Sequence, residues 1–459
     1  MPFATELAAD LSGQVIAPGH PRYDAARRVF PGAVDRRPAA IARVAHAPDV
    51  ARVIRFARER GLELAVRGGG HSPAGHGVSD GGIVIDLAGL RRLQIDPARR
   101  IAWAETGLSA GEYTSAAGAH GLATGFGDTG SVGIGGITLS GGIGFLARKH
   151  GLTVDSLLSA DVVTADGEHL RTDARRHPDL FWAIRGGGGN FGVVTRLQLR
   201  LHPVPTVLGG MLILPATADV ITRFLEEADA APEALSTIAN VMTAPPLPFL
   251  PPEQHGRPVV MALLAYSGAV DVGERVVNRF RRLAAPLADL VRPMPYAEIF
   301  GPEQKDYHPV AVARTMFVDD VDRDDAQAII DALEASSAQM SVAQLRVLGG
   351  ALARVPAEAT AFAHRRSRIF VNVAAVYDHP GERLRHEAWV AGLAARLHGG
   401  DTGAYAGFLA EEGQDRVRAA YPGATWDRLR AIKRRYDPTN LFRLNQNIPP
   451  AAELGTKAA

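Results

Sequence analysis

The sequence predicts an α+β protein: an α/β region up to residue 205, then an antiparallel sheet flanked by helices. Three observations carry this expectation. From Ile41 onward, short apolar runs alternate with helical periodicity. Pro203 and Pro205 then punctuate the chain, and longer alternating runs follow them. The chain has 459 residues, too many for one compact core, so more than one domain is expected.

The elements of the first region can be taken in order. Ile41–Ala45 reads as a strand. Pro48 and Asp49 open a helix that aligns Val50, Val53, Ile54 and Ala57, and Gly61 stops it. Leu62–Val66 is a second strand, running straight into Arg67-Gly-Gly-Gly-His71. Ile83–Leu87 and Ile101–Thr106 are further strands, and Ser109 caps a helix to Ala119. Ten glycines lie between Gly121 and Gly144, interspersed with apolar residues, so this backbone is expected to pack closely against something. Leu158–Ala165 is a strand, Asp179–Ile184 a short helix, and Val193–Leu201 another strand.

Beyond Pro205, strands are expected at Val207–Leu214, Leu235–Thr243, Val259–Tyr266, Gln344–Leu352 and Ile369–Tyr377. Helices such as Ala218–Ala228 and Val272–Leu283 lie between them. Pro245–Pro252 reads as a surface loop. A helix resumes at Trp426 and breaks at Tyr436-Asp-Pro-Thr-Asn440.

Composition narrows the function classes. Hydrophobic residues make up 46% and charged residues 22%, the balance of a soluble globular protein. A net charge of +1 without a basic block argues against a nucleic-acid partner. The absence of cysteine excludes disulfides, thiolate metal sites and cysteine nucleophiles, and no metal site is expected. Met1–Leu11 lacks a basic start followed by an apolar run, so no secretory signal is expected. No apolar stretch reaches the length of about 18 residues that a membrane span needs. The cytoplasm is the default location, and nothing sets an oligomeric state.

Two glycine segments match the dinucleotide fingerprint by letter: Gly187–Gly192 and Gly142–Ala147. That fingerprint must follow a strand and open a helix. Gly192 leads into a strand, and Gly151 would end a helix starting after Gly144 within two turns. The Rossmann reading is therefore rejected, although glycine-lined backbone can still bind a pyrophosphate through its N–H groups. In Arg67-Gly-Gly-Gly-His71-Ser72 a strand ends, the chain turns tightly, and a histidine projects. Two readings stay open for His71: a hydrogen bond within the loop, or a chemical role. His76 is its rival in the same loop.

Four segments together resemble a known family. Arg67-Gly68-Gly69-Gly70-His71-Ser72-Pro-Ala-Gly75 resembles the flavin-linking loop of the FAD-linked oxidases of the vanillyl-alcohol oxidase superfamily, in its berberine-bridge-enzyme-like branch. Val132-Gly133-Ile-Gly135-Gly136, followed by Gly141-Gly142-Ile-Gly144, is similar to the family's central FAD loop. Asp179 to Gly192, leading into Val193, is similar to its second flavin loop. Tyr436 to Ile448, with Asn445 and Asn447, is similar to its C-terminal signature.

The resemblance implies a two-lobed PCMH-type FAD-binding domain over 1–205 and a substrate domain over 206–409. A C-terminal segment, 410–459, would return to the FAD domain. It also implies that these loop residues contact FAD and that His71 bonds covalently to the flavin's 8α carbon. Neutral imidazole is a suitable nucleophile for that bond. Many relatives carry a second link through a cysteine where this chain has Thr129, so a single attachment is implied. The family often has histidine where Ile137 stands. Val132 falls where a side chain can gate oxygen, though ordinary core packing explains it equally.

On the substrate side, Gly403–Phe408 resembles the segment that supplies a tyrosine near the reactive flavin nitrogen. Tyr405 could then act as a base if its pKa is lowered, or it could be structural; Gly407 stands where the family usually has asparagine. Phe362-Ala-His364-Arg365 resembles another pocket stretch, so His364 or Arg365 would orient substrate, with surface charge as the alternative. Tyr113, Tyr296 and Tyr307 remain unplaced aromatics. The implied reaction is hydride transfer from a small organic molecule (alcohol, sugar, amine or secondary metabolite) to flavin N5, with O2 reoxidising the flavin to give H2O2. A dehydrogenase using another acceptor, and a non-catalytic flavin-binding protein, are the competing readings.

Overall fold

The computed structural model describes residues 2–301, 306–399 and 403–452. Met1 and residues 453–459 of the expected C-terminal segment lie outside the described residues. Among the described residues, no helix is long and apolar enough to cross a membrane.

The α/β expectation holds at the start of the chain. Strands Ala40–Arg43, Ile83–Asp86 and Leu64–Arg67 run parallel, with Gln14–Ile16 added antiparallel at one edge. Helix Ala47–Glu59 buries Val50, Val53, Ile54 and Ala57 against them, the four positions its periodicity aligns. Buried Asp49 accepts hydrogen bonds from the Ser12, Gly13 and Ala45 N–H groups, anchoring the N-terminal segment to this helix.

The second sheet departs from that pattern. Leu93–Asp96, Ile101–Glu105, Val193–Arg200, Leu157–Val163 and His169–Asp173 form five strands, antiparallel throughout. Tight turns join the first two of these strands and the last two, leaving no room for the crossover that parallel pairing needs. Helix Ala110–Gly118 begins at Ser109 as expected, in a capping box with Glu112. Gly192 leads into a strand, and the short helix Ala147–His150 ends at Gly151, so neither glycine segment has Rossmann geometry.

The third sheet has eight antiparallel strands, ordered along its main path as Ala288–Asp289, Thr206–Pro215, Pro258–Tyr266, Leu235–Thr243, Met340–Val347, Ile369–Val376 and Ala311–Val318. Arg292–Pro295 also pairs with Thr206–Pro215. The strand expected over Gln344–Leu352 instead ends at Val347. Gly349 and Gly350, at φ 91° and 61°, turn the chain into helix Ala351–Arg354. Strand Ala311–Val318 and helices Arg323–Glu334 and Arg383–Leu397 were not anticipated.

Period-two alternation gives this sheet two different faces. Ala343, Leu345, Val371 and Val373 point into a core shared with helices Ala218–Ala230, Val270–Arg281, Arg323–Glu334 and Arg383–Leu397. Gln344, Arg346 and Asn372 point the other way. The chain ends beside its first half: Trp426, Leu429, Ile432 and Tyr436 of helix Ala424–Tyr436 share a core with Ala102, Ala104, Leu197 and Leu199.

Candidate active site

A cavity of about 450 Å³ lies between the glycine loops and the polar face of the third sheet. Its first wall follows from strand register. Arg67 pairs with Asp86 across the parallel sheet, and their side chains form an ion pair at 3.1 Å. Arg43 joins the same buried carboxylate at 2.9 Å. With Arg67 fixed, Gly68, Gly69, Gly70, His71 and Ser72 continue along the cavity wall.

His71 is held in a defined state. Its ring stacks on Phe30 with centroids 4.3 Å apart and planes inclined by 17°. Burial pushes its pKa down to about 4, against a hydrogen bond to the Ser131 backbone that acts upward. The imidazole is therefore neutral at pH 7. Donation to a carbonyl from one ring nitrogen leaves a lone pair on the other. His76 also lines the cavity, its pKa lowered to about 4 by burial and by Arg36.

The glycines expected at a cofactor divide into two groups. Gly133 and Gly136 line the cavity with Thr129 and Val132. Gly69 and Gly133 pass so closely that a Cβ on either would collide with the other's backbone, whereas Gly136 faces open space. The others stand one layer back, where glycine is required by protein packing. Gly75 turns at φ 67° against Val34, and Gly135 packs on Thr106. Gly141 abuts Phe362 and Tyr405, Gly142 abuts Thr153, and Gly144 lies on the Phe126 carbonyl. Gly192 packs on Val162 and Val163, and Val193 is buried in the core of the first sheet. These six glycines and Val193, expected at the cofactor, are thus supports for the wall and do not line it.

At the far end Asn445 and Gln446 reach the cavity, while Asn447 lies behind it. The Oδ1 atoms of Asn445 and Asn447 are buried with no hydrogen-bond partner among the described residues. Such orphans call for an explanation. A bare-backbone cradle, a neutral histidine and the unpaired amide oxygen of Asn445 fit a flat, polar heteroaromatic group such as a flavin.

The opposite wall carries Tyr405. It is almost fully buried, and its hydroxyl accepts a hydrogen bond from the Gly142 N–H at 2.8 Å. Burial raises its pKa; Gly142, Ser140, Arg346 and Ile143 act against that rise without cancelling it. The lowered value that base catalysis would favour is not what this environment gives. His364 does not reach the cavity: its ring stacks on Phe317 at 4.7 Å and its Nε2 lies 3.1 Å from the Ala419 carbonyl. Arg365 is neither a substrate ligand nor surface charge. It is buried and clasps Asp155 through two bonds of 2.7 and 2.8 Å. Tyr113 and Tyr296 are core residues, and Tyr307 is exposed beside Phe30.

The sheet contributes a group of residues that sequence reasoning missed. Asn240, Gln344, Asn372 and Thr315 are successive cross-strand partners over four strands, so their side chains share one face. Gln344 donates to Asn240 at 2.8 Å, and the Asn372 Oδ1 is buried without a partner among the described residues. Arg346, two residues from Gln344, bonds Gln344 Oε1 and Asp128 Oδ2, each at 2.6 Å. Gln344, Arg346, Asn372 and Asp128 all line the cavity. The available signal was the alternation of Gln344 and Arg346 in an apolar strand, which also fits an ordinary solvent face.

Comparison with known proteins agrees with this geometry. Residues 38–173 match the FAD binding domain family, and residues 404–449 match the berberine and berberine-like family. The chain is 32% identical to (R)-6-hydroxynicotine oxidase of Paenarthrobacter nicotinovorans, over 97% of this chain and 99% of that protein. It is 29% identical to xylooligosaccharide oxidase of Thermothelomyces thermophilus, over 90% and 88%. The crystal structure of 6-hydroxy-D-nicotine oxidase from Arthrobacter nicotinovorans superposes with a TM-score of 0.85 at 30% identity, covering 96% of this chain and 98% of that one.

Proposed function

The chain belongs to the FAD-linked oxidoreductase family of the 6-hydroxynicotine oxidase and berberine-like enzymes, and on that premise we propose that it is an oxidase of a small polar molecule whose FAD is attached through His71 alone. The observation that carries this reading is the position of a neutral His71 on the wall of the cavity that Tyr405 and the Gln344–Asn372 row close from the other side.

FAD, when bound, supplies the two-electron acceptor. The chain supplies the rest. Gly136 leaves room for a close approach to the backbone, Gly69 and Gly133 close the wall against each other, and the orphaned oxygen of Asn445 offers an acceptor. Thr129 carries no thiol, so attachment rests on one residue. Gln344 and Asn372 hydrogen-bond the substrate's hydroxyl or amine and so orient it. Once ionised, above the ordinary phenol range, Tyr405 takes the proton the substrate loses, at an oxygen already held by Gly142. Val132 lines the cavity, where it would border the approach of O2, the oxidant that this reading assigns. The nicotine and xylooligosaccharide oxidases named among the relatives support an alcohol, sugar or amine as the substrate class.

The test is a panel of such compounds added anaerobically, scored by bleaching of the flavin absorbance, followed by an oxygen-electrode trace with the best reductant. Bleaching with steady O2 uptake is expected. Bleaching without O2 uptake would make the protein a dehydrogenase, and a flavin that no compound bleaches would make it a binding protein.

A further inference from the structure

His71 does not stand alone in its loop. Phe30, which also lines the cavity, lies flat against its imidazole. The loop that carries Phe30 is fastened on both sides. Toward the glycine loop, the Phe30 N–H donates to the Gly70 carbonyl at 3.0 Å. Toward the third-sheet region, the Gly32 N–H donates to the Pro309 carbonyl at 2.9 Å, and His308 Nδ1 lies 2.9 Å from the Val29 carbonyl. Tyr307 meets the Phe30 ring edge-on at 6.2 Å and 69°. The segment 307–309 thus braces the loop 29–32, and that loop braces the histidine.

A ring held by one hydrogen bond can still swivel about the remaining torsion. A flat aromatic face against it removes that freedom, and reactions between positioned groups depend steeply on such alignment. We propose that Phe30 is a positioning residue for covalent flavin attachment, its ring, backed by Tyr307, holding the His71 imidazole so that the nitrogen with the free lone pair faces the cavity. This rests on the His71 attachment argued above. In the step concerned, a C–N bond forms between that nitrogen and the flavin's 8α carbon. A C–H bond of the 8α methyl and the imidazole N–H bond break, releasing two protons, and the C–H electron pair passes into the ring system. Dioxygen takes the pair and two protons as H2O2, so the flavin ends oxidised and attached.

Phe30 borders the cavity but stands outside the glycine cradle, which is built from other loops. Its removal should therefore separate binding from attachment. The purified holoprotein and its Phe30→Ala, Phe30→Leu, Phe30→Tyr and Tyr307→Ala variants are compared for total FAD per chain and for the fraction that stays with the polypeptide after acid precipitation, before and after timed incubation with FAD in air. A misplacement of about 1 Å can cost roughly 10²-fold in rate. Phe30→Ala and Phe30→Leu should bind FAD at wild-type stoichiometry but attach it about 10–10²-fold more slowly. Phe30→Tyr, which keeps the flat face, should attach it as the wild type does, and Tyr307→Ala should fall between. If Phe30→Ala holds no FAD, Phe30→Leu decides the matter, since it keeps bulk without a flat face. Wild-type attachment rates in Phe30→Leu would overturn the proposal. Acid-releasable FAD in the wild type would instead overturn the His71 attachment itself, a different signal in a different sample.

Discussion

The Tyr405 hydroxyl accepts the N–H of Gly142 at 2.8 Å, joining two residues 263 positions apart in the sequence. Gly142 sits at φ 82°, and a Cβ there would strike the Thr153 side chain. The glycine loop therefore delivers a backbone donor to the tyrosine that faces the cavity. This contact sets what the tyrosine can do.

Because burial raises the Tyr405 pKa, a base role requires high pH. A base acts when deprotonated, so the rate of flavin reduction should climb with pH into the alkaline range, above the ordinary phenol value, and show no plateau near neutrality. Tyr405→Phe should slow reduction by about 10²–10⁴-fold and flatten that climb, while reoxidation by O2 stays nearly unchanged. Stopped-flow of the two half-reactions measures both. A variant that keeps the wild-type rate and pH profile would make Tyr405 structural.

The Gln344–Asn372 row should affect substrate and spare the cofactor. Asn372→Val removes a buried acceptor and leaves the strand intact. KM for the best substrate should rise by about tenfold, the effect of losing one hydrogen bond of 1–1.5 kcal/mol, with FAD content unchanged. Steady-state kinetics with flavin quantitation checks this; an unaltered KM would take Asn372 out of the substrate site.

Lys433 is fully buried, bonded to Asp437 at 2.7 Å and to the carbonyls of Asn190 and Phe442 at 2.7 and 2.9 Å. It ties the Gly187–Asn190 wall to the C-terminal segment that presents Asn445. Lys433→Met strands the Asp437 charge and two carbonyls, and breaking such a pair typically costs about 3–5 kcal/mol. Chemical denaturation should show a loss of that order, accompanied by weaker FAD retention in any variant not covalently loaded. A variant as stable as the wild type would refute the pair's role.

Stability should fall on mild acidification. His76, His150 and His202 are half-buried, with pKa values lowered to about 4 from 6.5, desolvation being the largest cause in each. The unfolded chain binds more protons than the folded one between those values. The stability is thus complete above about pH 6.5 and declines as pH falls toward 4. His150 and His202 stack at 4.0 Å, and His150 Nε2 has no hydrogen-bond partner among the described residues. Thermal unfolding at pH 7 and 4.5 should show a lower Tm at the acidic pH. The His150→Gln/His202→Gln double variant should lose part of that difference, and an equal drop in both proteins would argue against these histidines.

Local chemistry made much of the molecule legible in its sequence. Helix Ala47–Glu59 followed from apolar spacing, the Ser109 cap from a serine ahead of a helical run, and the His71 loop from three glycines after a strand, because each depends on residues within a turn or two. Glycine frequency announced close packing but could not say against what: Gly69 and Gly133 meet each other and border the cavity, whereas Gly142 and Gly144 support it from behind. The Asn240–Gln344–Asn372–Thr315 row exists only through strand register, and Tyr405 has a raised pKa because tertiary packing buries it, against the opposing hydrogen bond from Gly142. His364 and Arg365, adjacent in a pocket-like motif, were turned by packing toward Ala419 and Asp155. The sequence by itself determined which residue types were available and where the backbone could turn. Register, burial and the direction of each side chain arise from contacts between residues distant in the sequence, and only the tertiary structure decided them.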